Sequence, residues 1–385
     1  MKFEREQVVQ LLKSLVEIES VTPWLIADGK GEQEQAEFLR DWLKDTNVEV
    51  TLEEVADGRP NLLVRYRGNG PGPVLCVNAH ADTVGYANWP DRALKPKIVD
   101  DQMIGLGAAD DKAGLVCALL AIKALADNKV PINGEVLVAG VIDEEGVSIG
   151  SEHLVANHKM DYAIVIEPTG LPLAITQHQG FGWIDIIVHG KAAHGSAPGA
   201  GIDAIVHMAY VITKLHELDE RKFAPNPDPL NGRTVFHTGT INGGTDYATY
   251  PSKVVLGIEI GSQPGETLAN RITEIEQIFD EVKVQFPNFR GEIDVKLNRN
   301  PFVGSGFEPL LDAMSKASTA VIGKPMQTMG ENAWTDAALM QEAGVATLLV
   351  GPAGGNYHAV DEWVSISEVV SMTEILYLTI VDLLG

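Results

Sequence analysis

An apolar run at residues 136–142 breaks into three consecutive acids, Asp143, Glu144 and Glu145, followed at once by Gly146. Comparable knots close other apolar runs. "LCVNAHADTV" sets His80 and Asp82 two apart, where an extended chain points both side chains the same way. "GLGAADDKAG" places Asp110 and Asp111 between a glycine-rich turn and a helix start, "IVIEPTG" ends on Glu167, and "GPAGGNYHAVDEW" carries His358 in a glycine-rich loop. Each piece alone has a plain reading: an N-cap for Asp110 or Asp111, a solvated turn for "DEEG", a hydrogen-bonded structural histidine for His80, a turn for "EP". Together they are harder to dismiss, because no Arg sits in any knot and Lys112 is the only nearby cation. So many carboxylates at one edge force pKa values up unless a cation neutralises them. Imidazole with carboxylate suits zinc, cobalt or manganese, and two ions about 3.5–4 Å apart account for a cluster too rich for one.

The elements that must carry these residues follow from hydrophobic periodicity. "FEREQVVQLLKSLVEI" and "GEQEQAEFLRDWLKD" have the 3.6-residue period of surface helices. "NLLVRYR", "PVLCVNAH", "EVLVAGVID" and "DYAIVIEP" are short apolar strands, with the helix "KAGLVCALLAIKALADN" among them. That texture predicts an α/β catalytic domain, its mixed, largely parallel sheet flanked by helices, with the acids at strand C-termini where such folds keep their sites. From about Gln177 the order becomes strand–helix–strand–strand–helix–strand, the ferredoxin-like α+β pattern. The α/β pattern then resumes. The expected organisation is a discontinuous catalytic domain, 1–177 and 299–385, interrupted by an inserted domain at 178–298.

Length and composition fit this reading. The chain has 385 residues and a formal net charge of −24, which argues against nucleic acid and anionic membrane surfaces as partners. Its first residues form a charged amphipathic helix without the apolar segment of a signal peptide. Cys76 and Cys117 lie in apolar surroundings and read as buried reduced thiols. The expectation is a cytoplasmic protein with no membrane span.

"HADT", "GLGAADDKAG", "DEEG", "EPT", "GKAAHGSAP" and the terminal "H…DE" occur in this order along the whole chain, and in that combination the sequence resembles the M20 metallopeptidases. These include acetylornithine deacetylase, succinyl-diaminopimelate desuccinylase, carboxypeptidase G-type enzymes and aminoacylases. The resemblance implies two divalent metal ions, zinc first, with cobalt or manganese as alternatives, bridged by Asp110. One ion would take His80 and Glu167, the other Glu145 and His358. Asp82 would accept a hydrogen bond from His80, and Asp143 would be structural. Glu144 would be the general base and acid, helping a metal-bridged hydroxide attack an amide carbonyl. The resemblance also implies a cis peptide between Asp110 and Asp111. His194 would stabilise the oxyanion from the inserted domain of a partner subunit, so a homodimer through that lid domain is implied.

One stretch departs from the family. Many members hold the substrate carboxylate with an Arg in a segment like "IRTLPGE", whereas "LGIEIGSQPGE" has Gly261 there, and "YATYP" offers Ala248 and Tyr250 where the family often has Asn. Arg233 and Lys191 are candidate replacement cations, or else the substrate lacks a carboxylate at that place. Thr335 and Asn356 are candidate substrate contacts, an N-cap being equally open to Thr335. The expected substrate is a small N-acyl amino acid, as for acetylornithine deacetylase or the desuccinylase. The alternatives are a di- or tripeptidase acting on short peptides, and a catalytically inactive metal-binding relative. A magnesium phosphotransferase is disfavoured because no Walker-type glycine loop is present.

Overall fold

The computed structural model describes residues 1–385. The chain divides into two compact units, the first comprising residues 1–176, 304–329 and 335–385, and the second 177–303 and 330–334. The second therefore extends past the 178–298 span read from sequence and takes in a short segment ending at Trp334.

The first unit opens with α1 (Arg5–Glu17), α2 (Gln33–Leu43), β1 (Glu49–Ala56), β2 (Arg59–Arg67), β3 (Gly70–His80), β4 (Lys97–Val99), β5 (Gln102–Ile104), α3 (Lys112–Asp127), β6 (Asn133–Val141), α4 (Ile149–Asn157), β7 (Tyr162–Val165) and β8 (Leu173–His178). The second unit supplies β9 (Gly180–His189), α5 (Ala204–Leu218), β10 (Phe236–Gly243), β11 (Lys253–Ser262), α6 (Leu268–Gln285), β12 (Arg290–Arg299) and β13 (Phe302–Val303). The chain then returns through α7 (Glu308–Ile322), β14 (Gln327–Glu331), α8 (Ala337–Glu342), β15 (Ala346–Leu349), β16 (Gly354–Gly355), β17 (Trp363–Ser365) and α9 (Ile366–Leu384).

The main sheet of the first unit runs β1-β2-β6-β3-β7-β15-β8. Its centre, β6-β3-β7-β15, is parallel, and β2 and β8 flank it antiparallel. This is the mixed, largely parallel α/β sheet expected from the near-continuous apolar strands. α3 is buried along nearly its whole length, and its side chains join those of α1, α9 and the sheet in one core. No helix is long and apolar enough to cross a membrane. Cys76 and Cys117 are buried and unpaired.

All four parallel strands end at the same edge, each just before a singled-out residue. β3 ends on His80, β6 leads into Asp143–Glu144–Glu145, β7 into Glu167, and β15 into the loop holding His358. The β6 exit is tightly fixed. Asn61 accepts the Ile142 N–H at 3.1 Å and donates to the Gly150 carbonyl at 2.8 Å. A Cβ on Gly150 would lie 2.5 Å from the Ile142 backbone, so only glycine permits this approach.

In the second unit the order β9-α5-β10-β11-α6-β12 reproduces the pattern read from sequence, and the antiparallel sheet runs β10-β11-β9-β12. One face packs Ile184, Ile186, Val254, Leu256, Ile258 and Ile260 against α5 and α6.

Leu115, fully buried on α3, tests the load on the first core. Leu115→Ala is expected to destabilise that unit by about 2–5 kcal/mol, read as a lower urea midpoint with unchanged slope; a shift within error would mean the site refills without loss.

Candidate active site

Asp110 is the centre of the cluster. Its Oδ1 lies 2.8 Å from His80 Nε2 and its Oδ2 3.4 Å from His358 Nε2, so each carboxylate oxygen faces a different imidazole. His358 Nε2 is also 3.0 Å from Glu145. Donor atoms of His80, Glu144 and Glu167 lie within 4.8 Å of one another, and so do those of His80, Asp110 and Glu145. Two overlapping imidazole–carboxylate sets of this kind fit divalent cations of the zinc, cobalt or manganese type. The structure thus brings together His80, Asp110, Glu144, Glu145, Glu167 and His358. The Asp110–Asp111 peptide is cis. Asp111, not Asp110, caps α3, accepting the Gly114 N–H at 3.0 Å.

Electrostatics show how short of positive charge the cluster is. Burial, reinforced by the charges of Asp336, Glu145 and Asp110 and opposed by His80, pushes the Glu144 carboxyl well above its ordinary range. Burial does the same to Glu167, and burial with Asp110 raises Glu145. Asp110 goes the other way, since hydrogen bonds from His358 and His80 outweigh its burial. His358 is raised in turn to about 10 by Asp110 and Glu145. Burial opposes charge on His80, but the hydrogen bond to Asp110 holds it well above its usual value. Carboxylates that hold protons this tightly must release them when a cation binds.

The supporting shell differs from expectation in one respect. Asp82 was to accept from His80, but the His80 Nδ1–H donates to the Asp82 backbone carbonyl at 3.1 Å, and Asp82 Oδ1 is 3.6 Å away. The carboxylate is occupied elsewhere: its two oxygens accept the N–H groups of Glu144 and Glu145 at 3.0 and 3.1 Å. Asp82 therefore holds the turn that carries Glu144 and Glu145. Asp143 is structural, as read. At φ 67° it turns the chain sharply, its Oδ2 taking the Val147 N–H and its Oδ1 facing Thr22 and Arg59.

Sequence reasoning missed three partners. Arg59, 3.0 Å from Asp143 and paired with buried Glu32, is a balancing cation that the local knots did not reveal. Asp336 is buried, which raises its carboxyl to about 6, and it accepts from Ser151 Oγ. Glu362 accepts the N–H groups of Gly107 at 2.8 Å, Ala109 at 2.8 Å and Asp110 at 3.1 Å, clamping the loop that presents Asp110. Glu362 stood in the quoted "H…DE", the one signal that could have found it; Arg59 had none.

The remaining candidates are placed as follows. Thr335 Oγ1 accepts the Ala337 N–H at 3.3 Å just before α8, whose N-cap position is held by Asp336. Asn356 donates to the Asp361 carbonyl at 3.1 Å within its own loop. In the second unit, His194 is in an exposed loop with Nδ1 2.7 Å from Ser196 Oγ. Arg233 is paired with Asp219, and Lys191 lies at a β-bridge to Ile202.

The profile of Peptidase family M20/M25/M40 matches residues 76–382. The chain belongs to this family. An acetylornithine deacetylase of Aliivibrio fischeri (strain MJ11) is 30% identical over 350 residues, 88% of each chain. N-formyl-4-amino-5-aminomethyl-2-methylpyrimidine deformylase of Bacillus subtilis (strain 168) is 24% identical over 411 residues, 97% of this chain and 93% of the relative. A solved tripeptidase from Staphylococcus aureus shares the fold with a TM-score of 0.80 at 20% identity, covering 99% of both chains. As an M20 member the protein is a metal-dependent hydrolase of the metallopeptidase and amidohydrolase type.

Glu362 gives a direct check on how this M20 site is held. In Glu362→Gln the amide nitrogen faces an N–H donor, so at least one of the three loop bonds is lost. Zinc affinity by calorimetry is expected to fall about 10–100-fold with unchanged circular dichroism; unchanged affinity would show that the Asp110 loop holds itself.

Proposed function

We propose that this M20 hydrolase cleaves the amide bond of an N-acyl amino acid, holding two divalent cations, zinc first, between His80, Asp110 and Glu167 and between Asp110, Glu145 and His358. The observation that carries the reading is the placement of Asp110, one oxygen toward each histidine. Bound there, divalent cations supply Lewis-acid charge that acidifies water and polarises an acyl oxygen.

The chain's own groups do the rest. The Asp82 carbonyl accepts from His80 Nδ1 and leaves Nε2 to present its lone pair. Glu144, with a carboxyl raised by burial, accepts a proton from the attacking water and returns it to the departing nitrogen. Asp82 fixes the Glu144 backbone, so the carboxylate does not have to be ordered during the reaction. In His194 the Ser196 N–H donates to Nδ1 at 3.2 Å, which puts the ring proton on Nε2. We assign that N–H to the oxyanion, delivered across a homodimer formed through the inserted unit. Buried reduced Cys76 and Cys117 suit a cytoplasmic setting.

The acetylornithine deacetylases among the relatives support an acylated amino acid as substrate. The test is hydrolysis by zinc- and cobalt-loaded protein of N-acetyl and N-succinyl amino acids, neutral N-acylamines and free di- and tripeptides. Wild type is expected to cleave the blocked amino acids. Glu144→Gln is expected to lower kcat about 10²–10⁴-fold while both metal ions stay bound by elemental analysis. Loss of one ion would make Glu144 a ligand, and cleavage confined to free peptides would replace the deacylase with a peptidase.

A further inference from the structure

The face of the second unit's sheet turned away from α5 and α6 carries an unassigned pocket. Along β11, Ile258 and Ile260 point into the helix-covered core, so Glu259 and Gly261 alternate onto the other face. There Glu259 pairs with Trp183 and Gly261 with Phe181 on β9. A cavity of about 170 Å³ opens among Gln179, Phe181, Val235, Glu259, Asn332 and Trp334. The walls are ordered. Phe181 meets Trp183 at 5.4 Å between ring centroids and Trp334 edge-on at 5.8 Å. Trp183 Nε1–H donates to Glu259 Oε2 at 2.7 Å and leaves Oε1 without a protein partner.

Where many family members carry an Arg, Gly261 faces the Gln179 side chain. A Cβ on Gly261 would lie 2.4 Å from Gln179 Oε1, and that oxygen accepts the Val235 N–H at 3.0 Å. Gln179 is buried and fills the place where an Arg at 261 would begin. Arg233 is engaged by Asp219. The lining side chains are the Glu259 carboxylate, the Phe181 and Trp334 rings, Val235 and the neutral amides of Gln179 and Asn332, so the one charged wall is negative and the rings beside it attract an organic cation. Trp334 already carries one cation contact, the Arg299 guanidinium 5.5 Å over its ring, and Arg299 is not among the cavity walls.

We propose that this pocket binds an alkylammonium group, with Glu259 as its counter-ion and Phe181 and Trp334 as its aromatic walls.

A titration of the purified protein tests this. n-Butylammonium is titrated against tryptophan fluorescence, with n-butanol and butyrate as neutral and anionic controls. Saturable binding is expected to be at least about tenfold tighter for the cation and to weaken by a similar factor in Glu259→Gln, which keeps an acceptor for the Trp183 N–H. Equal binding of n-butanol or butyrate by the wild type, which needs no variant to fold, overturns the pocket. So does an unchanged affinity in the variant.

Discussion

The carboxylates of Asp110, Glu144, Glu145 and Glu167 converge at the parallel edge of a buried sheet, where little water screens them. Two unit charges 4 Å apart repel by about 4 kcal/mol at an effective dielectric constant near 20, and several such pairs would consume the roughly 5–15 kcal/mol by which a domain is stable. The structure answers this in two ways. Asp110 is held ionised between His80 and His358, while burial drives Glu144 and Glu167 toward their protonated forms. A site that keeps carboxylates in this condition gains most from a divalent cation, because the ion relieves each repulsion at once.

That constraint explains the residues around the cluster. Ligands that repel one another cannot set their own positions, so the backbone carrying them is tied down from outside. Asp82 grips the N–H groups of Glu144 and Glu145, and Glu362 grips those of Gly107, Ala109 and Asp110. Each uses a carboxylate to satisfy backbone donors that would otherwise be buried without partners. Asp143 is removed from the site altogether by its left-handed turn and its pairing with Arg59. The acid knot after β6 is thus three residues in three environments: Asp143 shapes the turn, Glu144 is buried with its carboxyl pushed well above its ordinary range, and Glu145 faces His358.

Much of this was visible in the chain itself, for an identifiable reason. Apolar strands, helix periods and acids at strand ends are local patterns, and the parallel arrangement of β3, β6, β7 and β15 turns those ends into one edge. What escaped depended on partners distant in sequence. Arg59 stands 84 positions from Asp143, and no spacing rule links them. The Asp82 carboxylate was expected on His80 from the family resemblance, yet the β6 turn offers it two N–H donors in good geometry. Trp334 belongs with the second unit because its ring packs on Phe181 and His178, a contact that no linear pattern announces.

Gly261 raises the question whether losing the family's anchoring Arg leaves the inserted unit impaired. The packing argues otherwise. Gln179 occupies the space beside Gly261 with its amide oxygen bonded to the Val235 N–H and its amide nitrogen directed at the Arg233 carbonyl 3.4 Å away. Both ends of the amide are engaged, and a truncated site left to drift would have no need of that. A side chain at 261 would begin 2.4 Å from Gln179 Oε1, so an Arg there would require Gln179 to move and give up its bond from the Val235 N–H. The candidate metal cluster is built wholly from residues of the first unit, and none of its hydrogen bonds involves Gln179, Glu259 or Gly261. The carboxylates gathered at the parallel sheet edge and the groups that line the pocket beside Gly261 are therefore written in separate stretches of this chain.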